Sequence, residues 1–369
     1  MFIDAIELRI LHLPLVRFFE TSFGRTDERV LILVRVDGEG AVGWGECVAD
    51  AHPFYSAETV RTAWHILSDY LVPAVLGRQF GHPREVGEAL QFVRGHQMAK
   101  AALEMGAWDL AAQQAGVPLT RMLGGTRTAI ASGVSIGIQP SLEELAERVA
   151  LERAAGYQRV KIKIKPGWDV EAVSFLRQRF GDFPLMVDAN AAYTSATSDR
   201  LRALDGFGLT MIEQPLDYDD IRDHATLQRA LRTPICLDES ITTVNRAEEA
   251  IALQACRVIN VKPGRVGGHA ASVALHDLCA RHGIPVWHGG MLETGIGRAH
   301  NIHLASLPNF SLPGDIAASR RYFDPDLIDP PIEVRPDGTI PVPDAPGIGV
   351  MVVEERVASL TDEVLRLHA

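Results

Sequence analysis

Apolar residues along this chain follow two rhythms, and the change between them falls near residue 126. In the first stretch, "IDAIELRILHL" and "VLILVRVDGEGAVGWGEC" alternate apolar with polar positions, the period of a strand with one face buried. The "DGEG" within the second run predicts a tight hairpin turn. Helical periodicity follows in "SAETVRTAWHILSDYLVPAVL", where Ser56 is a candidate cap with Thr59 near it. A second helix, "GHQMAKAALEMGAWDLAAQQAG", is rich in Ala and closes at Gly116. Strands followed by helices predict an α+β domain over residues 1–125.

From 126 to 320 the pattern is α/β. Short β-branched runs ("IASGVSIGI", "RVKIKIK", "PLMVDAN", "LTMIEQP", "PICLDES", "RVINVKP", "IPVWHGGM") alternate with helical segments such as "SLEELAERVALERAAG" and "ASVALHDLCARHG". The unit repeats closely: Lys163, Asp188, Glu213, Asp238 and Lys262 recur at intervals of 25, 25, 25 and 24 residues, each ending an apolar run. Seven or eight such parallel units close into a TIM-like (β/α) barrel, whose functional face is the one where the strands end. An open doubly wound sheet is the alternative, but the glycine fingerprint it usually carries after its first strand is missing. Beyond 320 the alternation stops. Residues 321–369, with "EVRPDGTIPVPDAPGIGV", read as turns and short strands that return to complete the first domain.

One stretch raises a question of charge. In "VKIKIKPGWD", Lys161, Lys163 and Lys165 share one strand face, and Val160, Ile162 and Ile164 the other. A strand within a closed parallel barrel turns its apolar face to the helices, so Lys161 and Lys163 point inward to the barrel mouth. Lys165, just before Pro166-Gly167, reads as a solvated strand end. Asp188, Glu213 and Asp238 converge on the same mouth, and Lys262 faces them from the sixth strand. Three converging anions repel one another and need neutralising. Lysines alone could serve. Three oxygen donors without a nearby Cys or His pair suit a hard dication better, and Mg²⁺ is the default. A lysine shielded from water near other cations has a lowered pKa and acts as a base near neutral pH, which is the expectation for Lys163 and Lys262.

Composition removes several other functions. The formal net charge of −11 leaves no footprint for nucleic acid and argues against an anionic membrane surface. No apolar run is long enough to cross a bilayer, and "MFIDAIELRILHLPL" lacks a signal-peptide core. The four cysteines are scattered, as in a reducing compartment, and the chain reads as cytoplasmic. "PGRVGGHA" lacks the Lys-Ser/Thr of a phosphate loop and reads as a turn after a strand.

The motifs "KIKIKPGWD", "VDAN", "IEQPL", "CLDES", "NVKPGRVGG" and "GGMLETGIGRAHN" resemble the enolase superfamily, muconate-lactonising-enzyme subgroup. "FETSFG", "GWGEC" and "LPNFSLPGD" extend the likeness over the whole chain, closest to the branch of o-succinylbenzoate synthases and N-succinylamino acid racemases. The resemblance implies a (β/α)7β barrel with an α+β capping domain built from both chain ends. It implies Mg²⁺, with Mn²⁺ as a substitute, on Asp188, Glu213 and Asp238. Lys163 and Lys262 then serve as bases on the two faces of the substrate. Lys161 stands near its carboxylate and lowers the pKa of Lys163, while Asn190 and Glu239 are accessory.

The implied chemistry is loss of the proton α to a carboxylate, giving an enediolate. Reprotonation from the other face racemises, and loss of a β-hydroxyl dehydrates, as in menaquinone biosynthesis. The substrate expected is a small carboxylate bearing a succinyl group, and the assembly a homo-oligomer. Segments 17–25 (with Phe23) and 50–58 are expected to close over it, with Ser135, His288, Gly290 and Met291 as further lining. Dipeptide epimerase and muconate cycloisomerase share the chemistry. The Asp-x-Asp that epimerases use is replaced here by "HGGMLETG". An idle barrel kept for binding would be expected to have lost a lysine or a carboxylate, and none is missing.

Overall fold

The computed structural model describes residues 1–369. Strands β1 (Ala5–Glu20), β2 (Arg25–Gly38) and β3 (Ala41–Cys47) form an antiparallel sheet with the C-terminal β11 (Thr361–His368), in the order β11-β1-β2-β3. The β2–β3 hairpin turns through Glu39 and Gly40, both at positive φ (49° and 80°), which matches the twist of the strands it joins. Helix α1 (Val60–Ile66) is capped by Thr59, not by Ser56. Thr59 and Thr62 exchange hydrogen bonds in a reciprocal capping box, whereas Ser56 Oγ accepts from Glu58 N.

Helix α2 (Gln97–Ala115) is buried along its length, from Met98 to Ala112. Its alanines and the glycines of β3 allow this: a Cβ on Gly45 would stand 1.9 Å from the Ala102 carbonyl oxygen. Gly116 ends the helix at a φ of 63°, in the left-handed region.

The parallel sheet runs in chain order through β4 (Gly133–Ile136), β5 (Arg159–Lys163), β6 (Leu185–Asp188), β7 (Ile212–Glu213), β8 (Ile235–Leu237), β9 (Val258–Val261) and β10 (Val286–His288). Helices α3 (Leu142–Ala154), α4 (Val170–Phe180), α5 (Asp199–Ala203), α6 (Arg222–Ala230), α7 (Val244–Ala252), α8 (His269–Arg281) and α9 (Gly295–Ala305) separate the strands and follow the last. Residues 310–315 close the ring. Phe310 bridges to Val286 and Gly314 to Ser132, both parallel, and Gly133 N donates to Gly314 O at 2.7 Å. Seven strand–helix units and a short eighth stave make a (β/α)7β barrel. Met186, Met211, Cys236, Val258 and Trp287 fill its interior floor, and the outward Val160, Ile162 and Ile164 join the larger core under the helices.

The C-terminal stretch 321–369 divides its allegiance. Only β11 joins the first sheet, pairing Ala5 with His368 through Leu11 with Thr361. Upstream, Thr339–Pro341 pairs with Ala129–Ala131, and Phe323, Leu327, Ile332 and Ile348 join the large core shared by barrel and first domain, while Gly347 and Ile348 bond to Val117, Leu119 and Asp109 of the first domain. The stretch expected to complete the first domain thus bonds to it at Tyr322, Gly347, Ile348, Leu360 and β11, and to the barrel side at Thr339–Pro341.

Buried carboxylates lock the first domain to the barrel. Glu46 of β3 accepts from Thr294 N (3.1 Å) and Gly297 N (3.0 Å) at the start of α9. Glu104 of α2 accepts from His269 N (2.8 Å) and Ala270 N (2.9 Å) at the start of α8. Each satisfies helix-terminal donors that have no partner inside their own helix. Burial pushes both carboxyls up to about 7, against the pull of those N–H groups.

A folded-state pKa above the unfolded value means that the protein binds the proton more tightly when folded. The associated stability is full below about pH 4.5 and is lost as the pH rises toward about 7. Glu104→Gln escapes that loss but forfeits one acceptor at every pH. The variant is expected to cost about 1–3 kcal/mol at pH 5 and clearly less at pH 8, as read by urea unfolding. A cost that grows with pH would contradict the assignment.

Candidate active site

The strand ends bring the predicted charged residues together. Lys163 pairs in register with Asp188, and Asp188 with Glu213, so three successive strands present their functional groups at one level. Lys161, one pleat below Lys163, sits among three carboxylates: Asp315 Oδ2 at 2.7 Å, Glu213 Oε2 at 2.9 Å and Asp188 Oδ2 at 3.1 Å. Lys163 Nζ donates to Asp188 Oδ2 (2.6 Å) and Asn190 Oδ1 (2.7 Å). Across the barrel, Lys262 Nζ donates to Asp238 Oδ2 (2.7 Å) and Tyr55 OH (3.1 Å), while Arg265 takes the other oxygen of Asp238. Lys161, Lys163, Asp188, Glu213, Asp238, Lys262 and Arg265 are buried, and the Asp315 side chain is 7% exposed.

The loops after the strands hold strained backbone that orients these groups. Asn190 and Gln214 adopt left-handed φ values of 43° and 35°, a conformation that non-glycine residues keep only where surroundings impose it. Asn190 Nδ2 donates to Glu239 Oε1 at 3.0 Å. Gln214 Oε1 accepts from Asp238 N at 3.0 Å, fixing the end of β8.

Electrostatics at the site are dominated by crowding. Burial, reinforced by Asp188, pushes the Glu213 carboxyl up to about 8, and burial beside Asp238 pushes Glu239 up to about 7. Asp188 goes the other way: burial opposes its charge, but Lys163 and Lys161 hold it well below the usual carboxylate range. While it is paired with Asp238, Lys262 does not show the lowered pKa expected of it. Burial alone would lower Lys262 and Lys161, yet Asp238 beside the first and Asp315 beside the second raise both. Each ammonium faces a carboxylate closer than any cation, and the nearer charge wins.

Asp188, Glu213 and Asp238 were assigned a hard dication, and the side chains bear on that in two ways. Their donors are all carboxylate oxygen, and Glu239 Oε2 beside them is buried without a hydrogen-bond partner, which suits such an ion in type. No three His, Cys, Asp or Glu side chains stand close enough to enclose an ion as they are. Lys161 lies between Asp188 and Glu213, and Lys262 occupies Asp238. The donor set fits, and the ammonium groups would have to give way to the ion.

Above the charges lies a cavity between barrel and first domain. Lys161, Lys163, Lys262, Asn190, Ser135, Gly290 and Met291 line it from the barrel, and Phe19, Phe23 and Tyr55 from the first domain. Asp188, Glu213 and Asp238 lie beneath it. Ser135 Oγ is buried without a partner.

His288 is elsewhere. Its neighbour Trp287 points into the barrel, with Lys161 Nζ 4.9 Å from its ring, so the strand alternation turns His288 outward to stack on Phe310. Burial pushes its imidazole down to about 3, and neither nitrogen has a hydrogen-bond partner. Lys165 is partly exposed, 3.7 Å from Glu20.

Sequence reasoning missed several participants. Asp315 bridges Lys161 and Arg159 (2.6 Å to the latter), and Asn260 Nδ2 donates to Glu213 Oε1 at 2.6 Å. Asp315 ends "LPGD", the eighth stave, whose lack of apolar alternation hid it. Asn260 was legible as the inward partner of Lys262, two residues on along β9.

A barrel with lysines on opposite sides of buried carboxylates, capped by a second sheet and its helices, defines a class of acid–base enzymes that work at strand ends. Residues 5–124 match the mandelate racemase / muconate lactonizing enzyme N-terminal domain, and residues 143–356 the enolase C-terminal domain-like family. The chain belongs to this family, within the enolase superfamily. It is 52% identical to an o-succinylbenzoate synthase of Geobacillus stearothermophilus, over 99% of this chain and 98% of that one. It is 51% identical to an N-succinylamino acid racemase of Thermus thermophilus, over 95% of each chain. The crystal structure of an enolase-superfamily member from Listeria innocua superposes with a TM-score of 0.96 at 39% identity, covering 100% of this chain and 99% of that one. Enzymes of this family generally depend on Mg²⁺. No helix is long and apolar enough to cross a membrane.

Because His288 faces away from the cavity, His288→Leu should keep kcat/KM within about threefold of the parent, as substitutions remote from a site do. A loss above about a hundredfold in steady-state assays, with the fold intact by circular dichroism, would return His288 to the site.

Proposed function

We propose that this chain removes the proton α to a substrate carboxylate and acts as an N-succinylamino acid racemase, an o-succinylbenzoate synthase of menaquinone biosynthesis, or both. The observation that carries this is the placement of Lys163 and Lys262 on the second and sixth barrel strands, both lining one cavity. Bases on opposite walls reach opposite faces of one carbon. One lysine takes the proton and leaves an enediolate. The other returns a proton to the far face, which inverts the centre, or protonates a departing β-hydroxyl, which gives the alkene. Lys161, held as an ammonium by Asp315 and Glu213, attracts the substrate carboxylate, and the unpartnered Ser135 Oγ offers it a hydrogen bond.

Asp188, Glu213 and Asp238 would hold Mg²⁺, or Mn²⁺ in its place, with Asn190 and Glu239 beside them. The ion supplies positive charge that stabilises the enediolate. Residues 1–125 together with β11 form the cap, and residues 126–320 the catalytic barrel. Phe23 in 17–25, with Gly290 and Met291 below, excludes water from the acyl group. We assign the chain to the cytoplasm and to a homo-oligomeric assembly.

Parallel assays with Mg²⁺ separate the two activities: dehydration of the cyclohexadiene precursor of o-succinylbenzoate, and the optical rotation of N-succinyl-L-phenylalanine. EDTA should abolish either activity and Mg²⁺ restore it. Lys163→Ala and Lys262→Ala should each lower kcat by roughly 10²–10⁴-fold. In deuterated water each variant should lose α-proton exchange for a different enantiomer. Equal loss with both enantiomers in one variant, while the other keeps both, would sink the two-base reading.

A further inference from the structure

Four cationic side chains line the cavity: Lys161, Lys163, Lys262 and Arg298. The three lysines are each within hydrogen-bond reach of a strand-end carboxylate. Arg298, on the first turn of α9, is different. It is 2% exposed, and its nearest carboxylate oxygen, Asp326 Oδ2, stands 3.8 Å away. That oxygen has no hydrogen-bond partner of its own, because Asp326 turns Oδ1 to Gly295 N (2.8 Å) and Leu327 N (2.7 Å).

The guanidinium makes one good hydrogen bond, from Nη2 to Glu293 O at 2.7 Å. A second, from Nη1 to Ser319 Oγ, is stretched to 3.5 Å. The Glu293 carboxylate does not turn toward it and accepts from Met291 N at 2.9 Å instead. A buried cation with its counter-ion held off is costly unless something else completes its shell. Tyr322 lies 5.5 Å from the guanidinium carbon and forms part of the same wall.

We propose that Arg298 is a specificity residue that receives the second carboxylate of the substrate, the one remote from the reacting carbon. This rests on the functional reading above, in which the substrate carries a succinyl group and therefore two carboxylates. The first is taken at the strand ends by Lys161. The planar fork of an arginine matches the second in two parallel hydrogen bonds, in a cavity whose other cations are already committed. The chemical class selected is an acyl group ending in a carboxylate, in preference to a neutral acyl group of similar size.

The test compares kcat/KM for an N-succinyl amino acid with that for the N-acetyl derivative of the same amino acid, in the parent enzyme and in Arg298→Met. The ratio between two substrates in one sample does not depend on how much of the protein is folded. The parent should favour the succinyl form, and Arg298→Met should lower that preference by roughly 30-fold or more, the scale of truncating one partner of a buried charge pair. The loss should fall on KM for the succinyl form. Arg298→Lys keeps a charge without the fork and should give an intermediate ratio. It carries the same test where the Met variant yields no soluble protein.

A ratio unchanged within about threefold in an active variant would overturn the assignment and leave Arg298 a structural link between Glu293 and Ser319. A parent enzyme inactive on both acyl forms and on the dehydration substrate would overturn the functional reading first, and this inference with it.

Discussion

Like charge gathered at the ends of adjacent strands is the constraint on which the rest of the molecule turns. Asp188, Glu213 and Asp238 end three successive barrel strands and are fully or almost fully buried. Their mutual repulsion is visible in the Glu213 carboxyl, pushed up to about 8 by burial and by Asp188. Carboxylates so placed would open the barrel mouth unless cations stood among them. Lys161 and Lys163 do so from the preceding strand, and Lys262 and Arg265 from the far side. The residues that carry the chemistry are thus the ones that make the barrel end tolerable electrostatically. Removing one member of such a set leaves an uncompensated buried charge.

How much of this was legible follows from the same constraint. A 25-residue recurrence of acids and lysines at strand ends is a strong signal, because strand alternation dictates which side chains face inward. It located Lys161, Lys163, Asp188, Glu213, Asp238 and Lys262 together. Where the alternation is short or irregular, the signal fades. The eighth stave is "FSLPGD", and Asp315 was invisible in it although it holds both Lys161 and Arg159. His288 was placed in the site by proximity along the chain, when Trp287 already held the inward position. The pairing of Lys262 with Asp238 was not legible for another reason. From sequence the neighbouring cations are as conspicuous as the anions, and only distances show that the anions are nearer.

The first domain was legible as strands and helices, but its role as a fixed part of the site was not. Glu46 and Glu104 are unremarkable in sequence. In space they leave their own domain to cap two barrel helices, α9 and α8. His300 adds a third link, with Nε2 2.7 Å from Trp44 O. A domain held by buried polar bonds of this kind does not rock freely, since opening would expose or strand each of them. Adjustment to a substrate is then left to segments that lack such ties. Phe23 and Phe54, in the two loops over the mouth, are 38% and 62% exposed.

The charge proposed for the substrate accords with the charge of the site. The ion pairs at the strand ends join four carboxylates, Asp188, Glu213, Asp238 and Asp315, to five cations, Arg159, Lys161, Lys163, Lys262 and Arg265. With all four carboxylates ionised the cluster keeps one positive charge in excess, and burial makes any further large departure expensive. A dication added alone would upset it, and so would a dianion. Entering together they leave the local charge where it was. A monocarboxylate cannot do this, since it returns only half of the added charge. A dicarboxylate can, provided its second anionic end also finds a cation inside the cavity. Arg298 is the lining cation without a close carboxylate of its own, so the same balance that explains the lysines also favours a substrate with two acidic ends.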